Sequence, residues 1–251
     1  MTKKRILFEA PVYTHEAAIL AAANGVDRLE LCADFGEGGT TPSAGLLKVI
    51  KRTVPIPVFV MIRPRGGDFM YAPRELEAMM EDIEILGELG ADGFVFGALR
   101  PGGKVDAEAC RRLLEVTQEK PCTFHRAFDK VPDQLTALET IVNLGFKRIL
   151  TSGGKNSVSE GRSALLDVLT QAANRITVLP GGGLTGEDLV TLNRTGFLRE
   201  VHRSCKYFRP SEGGQQKGEV RLSMLDQTEG KVLTVDPELV RSFRNSLDNL
   251  G

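Results

Sequence analysis

Short runs rich in β-branched and aromatic residues alternate along this chain with longer stretches whose apolar residues return every three or four positions. The short runs fall at 5–10, 27–32, 57–63, 92–97, 122–127, 147–151, 175–180 and 199–205. The longer stretches predict helices at 15–24, 44–53, 74–90, 106–118, 132–144, 157–173, 186–195 and 237–249. Thr14 is placed to cap the first helix and Gly25 to stop it, while Pro42 suits a first turn and Pro73 opens the clearest helix. On that helix Leu76, Met79, Met80, Ile83, Leu86 and Leu89 form one stripe, so the paired methionines read as core rather than as a soft-metal site.

A repeat of about 30 residues per strand–helix unit suits parallel strands with crossover helices. Two arrangements answer to it, a closed (β/α)8 TIM barrel and an open doubly wound sheet. No G-x-G-x-x-G follows the first strand, and polar residues recur at alternate strand positions, as in Glu30 and Cys32, Thr123 and His125, and Glu200 and His202. A parallel sheet buried on both faces would read more uniformly apolar, so the fold expected is an α/β TIM barrel, one domain over residues 1–251. The segment 206–235 breaks the repeat as a long extension at the C-terminal barrel face. Within it, 220–225 and 231–235 read as a hairpin; lid, dimer contact and mobile insertion all remain open for it.

Composition narrows the classes. The chain has 251 residues, is 41% hydrophobic and carries a net charge of −1, which argues against nucleic acid or an anionic membrane as partner. Nothing near the start is long enough for a signal segment, and no run approaches a membrane span. The cysteines at 32, 110, 122 and 205 show no C-x-x-C pair, which suggests a reduced, cytoplasmic protein.

Chemistry gathers at the strand ends, the face on which such barrels work. Strand parity directs Glu9, Glu30, Cys32, Arg63, His125 and His202 toward the barrel mouth. Two carboxylates and two imidazoles there hold a divalent metal or divide acid and base roles, and the arginine pairs with a substrate anion. The plainer alternative is a polar cap whose groups only satisfy one another. Ser152-Gly153-Gly154 and Gly181-Gly182-Gly183 follow the sixth and seventh strands, where glycine lets backbone amides approach an anion such as phosphate; tight βα turns explain them equally well. Cys32 and Cys205, also at strand ends, are the candidate thiolates for a soft ion such as Cu(I), whereas Cys110 and Cys122 read as small hydrophobes.

Seven stretches together resemble the CutC copper-homeostasis family: 28–43 (RLELCADFGEGGTTPS), 61–71 (MIRPRGGDFMY), 93–99 (GFVFGAL), 123–129 (TFHRAFD), 148–154 (RILTSGG), 179–183 (LPGGG) and 200–205 (EVHRSC). The resemblance implies a TIM barrel, a cytoplasmic protein, a homodimer or higher homo-oligomer, and copper homeostasis with Cu(I) binding. The residues themselves suit a different ligand. Arg63, Arg65, Asp68, His125, Arg126 and Asp129 make a polar mouth fit for a small anionic molecule, and cysteine and methionine are not clustered. Two functions therefore stand side by side. One is a copper-binding protein using Cys32 and Cys205, assisted by His125 or His202. The other is an enzyme (a lyase, isomerase or hydrolase) acting on a phosphorylated or carboxylated metabolite through Glu9, Glu30, His125 and His202. No lysine sits inward at a strand end, which disfavours Schiff-base chemistry.

Overall fold

Eight short parallel strands pair side by side in the order 7-6-5-4-3-2-1-8 in the computed structural model, which describes residues 5–213 and 230–250. They are β1 (Leu7–Val12), β2 (Arg28–Leu31), β3 (Val58–Met61), β4 (Gly93–Phe96), β5 (Cys122–Phe124), β6 (Arg148–Thr151), β7 (Thr177–Pro180) and β8 (Glu200–His202). β1 pairs with both β2 and β8, and the ring closes through a single parallel bridge, Gly181 to His202. The expected TIM barrel is the fold.

Helices α1 (His15–Ala23), α2 (Ala44–Thr53), α3 (Pro73–Glu88), α4 (Ala107–Glu115), α5 (Gln134–Leu144), α6 (Arg162–Ala172), α7 (Gly186–Asn193) and α8 (Pro237–Asp248) alternate with the strands. Side-chain caps start several of them: Thr14, Ser43, Asp106, Asp133, Thr185 and Asp236 each accept an amide of the first turn. Their inward stripes, such as Met79, Ile83 and Leu86 of α3, bury against outward strand residues such as Phe8, Leu29, Val60 and Phe96. Met79 is fully buried, as its place on the stripe requires.

Some boundaries differ from the sequence reading. α6 begins at Arg162, not at 157, because Gly161 packs backbone to backbone against Ser152 and Gly153, leaving no room for a helix that starts earlier. α4 ends at Glu115, since Gln118 and Glu119 turn into the left-handed region at φ 51° and 64°. β5 stops at Phe124, and His125 caps a 3-10 turn, Arg126–Lys130.

In the 206–235 extension, β9 (Lys206–Pro210) pairs antiparallel with β10 (Lys231–Val235). The other half of the expected hairpin, 220–225, lies outside the described residues. Among the described residues, no helix is long and apolar enough to cross a membrane.

Candidate functional site at the barrel mouth

Polar side chains fill the barrel interior from below. Arg28 on β2 donates to Glu9 Oε2 at 2.5 Å and to Glu200 Oε2 at 2.5 Å, and Arg148 on β6 donates to the same Glu200 oxygen at 2.8 Å. Both guanidiniums lie over the Phe59 ring, 4.7 and 5.0 Å from its centre. Gly93, facing them on β4, has no side chain because a Cβ there would come within 2.6 Å of that ring. This lower layer was not anticipated from the sequence. Its signal was available, since Arg28 shares the parity of Glu30.

One step up, Glu9, Glu30 and His202 bring three donor atoms within 4.8 Å of one another, all buried. Burial alone would raise Glu9, but the Arg28 charge and the hydrogen bonds from His202 and Arg28 outweigh it and hold the carboxyl at about 2. Glu9 is therefore a carboxylate that only accepts, so His202 Nδ1–H must donate to its Oε1 at 2.9 Å. His202 Nε2 then faces Glu30 Oε2 across 3.9 Å. Burial pushes Glu30 up to about 7, against the pull of the His202 charge and with the Glu9 charge adding to the rise. Burial opposes a charge on His202, yet the carboxylates of Glu30 and Glu9 keep its pKa above the ordinary imidazole value. Glu9 thus orients His202, and Glu30, whose Oε1 has no partner, stands opposite the free nitrogen.

Above this chain of contacts opens a cavity of about 750 Å³. Glu30, Arg63, His125, Arg126, His202 and Gly181-Gly182-Gly183 all lie on its wall. Arg63 is tied to three backbone carbonyls: Nη1 donates to Glu37 at 2.5 Å and Gly39 at 3.0 Å, Nη2 to Gly67 at 3.2 Å. His125 is buried against Phe69. Arg65 and Asp68 turn to each other and to Glu75, away from the cavity wall.

The two glycine loops differ. After β6, the amides of Ser152 and Gly154 donate to the Asp129 carboxylate at 3.1 and 3.0 Å, and Thr151 and Ser152 hydroxyls reach it as well. The anion expected at Ser152-Gly153-Gly154 is the chain's own carboxylate, contributed by the loop after β5. Gly153 donates its amide to Thr151 Oγ1. After β7, Gly181 donates to Thr151 O at 2.9 Å, but the amides of Gly182 and Gly183 have no acceptor among the described residues. Gly182 and Gly183 have φ of 107° and 68°, and the Arg126 guanidinium lies beside Gly182. That loop is free to receive an anion.

The thiols do not converge into a metal centre. Cys32 packs with Phe59, Met61 and Val95, Cys205 belongs to the main core, and neither joins a three-ligand group among the described residues. Burial pushes both thiols up, Cys205 to about 11, and Glu30 adds to the rise at Cys32.

The CutC family profile matches residues 6–207. The chain is 49% identical over 205 residues to the Homo sapiens copper homeostasis protein cutC homolog, covering 82% of this chain and 75% of that one. It is 39% identical over 247 residues to a family protein CutC of Sinorhizobium medicae, covering 98% of each. A crystal structure of CutC from Streptococcus agalactiae superposes with a TM-score of 0.73 at 37% identity, covering 78% of this chain and 97% of that one.

Proposed function

The chain belongs to the CutC family, and on that premise we propose that its barrel mouth binds a small anionic organic molecule and acts on it by proton transfer through Glu30 and His202. The observation that carries this reading is the Glu9–His202–Glu30 arrangement, in which an ionised carboxylate orients an imidazole toward a second carboxyl that titrates near neutrality. The Glu30 carboxyl, raised by burial, and the His202 imidazole, raised by the two carboxylates, face each other and divide the roles of acid and base at pH 7. Gly182 and Gly183 amides with Arg126 supply the seat for the anionic group, a carboxylate or phosphate. Arg63 and His125 complete the wall on the other side of the cavity.

Copper, which the family name carries, finds no suitable set of donor atoms among the described residues. Cu(I) prefers thiolates or thioethers, and Cys32 and Cys205 lie in separate apolar clusters, neither in a group of three donors among the described residues. The nitrogen and oxygen donors suit a divalent cation better. Glu9, however, has one oxygen committed to His202 and the other to Arg28, which leaves Glu30 and His202 Nε2 as the free pair. No step of the proposed chemistry runs through a metal. The role in copper homeostasis then follows from the molecule processed, not from a metal stored in the barrel.

We place the protein in the cytoplasm as a homodimer or higher homo-oligomer, without nucleic acid or membrane as partner. Four free buried cysteines and the near-zero net charge support that setting. A thermal-shift panel of small carboxylates and phosphates tests the function, because a ligand of the native state raises its melting temperature. At least one anion should raise it in the wild type, and Arg126→Met and His202→Asn should each reduce the rise. No rise with any anion would refute the reading.

A further inference from the structure

His125 stands outside the Glu9–His202–Glu30 chain, and its tautomer is fixed. Its Nδ1 accepts the Ala127 amide at 3.3 Å. Burial, together with the charge of Arg63, pushes the ring down to about 3, so it is neutral at pH 7. A neutral imidazole that accepts at Nδ1 carries its proton on Nε2. That N–H has no partner, and neither does the Nε–H of Arg63. Both groups lie against the Phe69 ring, the guanidinium carbon 4.9 Å and the imidazole 4.8 Å from its centre. Gly97 leaves room for the imidazole in this position, since a Cβ there would come within 2.9 Å of His125 Nδ1.

A buried donor without a partner is destabilising, so two beside one ring on a cavity wall are a costly arrangement for packing alone. Their character also selects the acceptor. The terminal nitrogens of Arg63 are engaged by three backbone carbonyls and carry no carboxylate, so the fork that grips a carboxylate with two bonds is not offered. What remains is one guanidinium N–H and one neutral imidazole N–H. That pair suits a single oxygen whose negative charge grows during reaction.

We propose that Arg63 Nε–H and His125 Nε2–H receive the carbonyl oxygen of a small 2-oxo acid and stabilise the enolate formed when Glu30 removes the adjacent C–H proton. This rests on the function proposed above and names the substrate class of the same site. The α C–H bond breaks, its proton passes to a Glu30 oxygen, and its electron pair forms the C=C bond while the carbonyl π pair moves to oxygen. Return of the proton reverses the step, so nothing is oxidised and no co-reactant enters. Both donor atoms are closed to solvent in this structure, and Phe69, which packs on both groups and lines the same cavity, is the side chain the oxygen would displace.

The experiment is deuterium exchange at C3, the carbon next to the keto group, of pyruvate, 2-oxobutyrate and 2-oxoglutarate in D2O, followed by proton NMR, with oxalate binding measured in parallel as a mimic of the enolate. The wild type should exchange at least one of the three well above the protein-free rate. Loss of a donor should slow this by about 100-fold or more in His125→Phe. His125→Gln, which keeps an N–H donor, should retain part of the rate, and Glu30→Gln should remove it. Should His125→Phe fail to fold, Arg63→Lys, which lacks the Nε donor, serves in its place. Equal exchange in the wild type and in a folded donor-deleted variant overturns the inference. So does anion binding without exchange, an outcome that leaves the acid–base site standing. Failure of oxalate, of the 2-oxo acids and of every other anion to bind overturns both.

Discussion

Arg28 and Glu9 form an ion pair at 2.5 Å inside the barrel, with both side chains closed to solvent. The pair is the foundation of the site, because the second oxygen of Glu9 is the one that orients His202. Removing the cation strands a buried carboxylate, and breaking such pairs costs about 3–5 kcal/mol. Arg28→Met should lower stability by that order in urea unfolding, whereas Glu9→Gln combined with Arg28→Met should cost less than the sum of the two single changes. Strict additivity would show that the two groups are not coupled.

Acid stability follows from His125. Unfolded, its ring takes up a proton near the ordinary value of 6.5; folded, only near 3. Between those values the unfolded chain binds more protons, so this contribution is whole above about pH 6.5 and drains away as pH falls toward 3. Glu9 acts in the same direction lower down, between 4.5 and about 2. Glu30 acts oppositely, since its folded value of about 7 lies above 4.5 and its burial lowers stability as pH rises through that window. Comparing the wild type with His125→Gln isolates the first effect: the variant should lose less stability between pH 6.5 and 4. Parallel curves would refute the neutral, buried assignment.

Gly181 closes the ring and touches His202. A Cβ there would come within 2.6 Å of Leu150 and 3.0 Å of His202. Gly181→Ala should therefore cost about 1–3 kcal/mol by overpacking. It should also weaken anion binding, because one of the side chains displaced is the His202 imidazole. Retention of wild-type stability and affinity together would contradict this account.

For metals, the donor atoms predict a specific pattern in competition with a chelator. Replacing Cys32 and Cys205 together with serine should leave copper affinity unchanged. Any divalent-cation affinity should fall with His202→Ala or Glu30→Gln. Loss of Cu(I) binding in the double cysteine variant would restore the thiolate reading that the resemblance suggested.

Much of this was legible in the chain. Strand parity turns Glu9, Glu30 and His202 to the same inner face, because side chains two apart share a face, and their donor atoms meet there. Arg28 obeys the same parity, but attention to strand ends passes over a residue that opens its strand. The contents of the Ser152-Gly153-Gly154 loop were not readable, since the filling carboxylate, Asp129, arrives from the preceding βα unit. Nor could spacing separate Cys32 from Cys205: both sit near strand ends, yet each packs into a different apolar cluster. In the extension, 231–235 was recognisable as a strand. Its partner Lys206–Pro210 lies in the part that reads as a continuation from β8.

Among the described residues, the bridge between Gly181 and His202 is the only ladder contact joining β7 to β8, while every other neighbouring pair of barrel strands is held by a run of partners. The seam of the barrel therefore runs through the mouth beside the free amides of Gly182 and Gly183. A molecule lying from Gly182 to His202 would fasten the last two staves together. Filling the site and locking the barrel would then be one event, and amide hydrogens of β7 and β8 would slow their exchange in step with saturation.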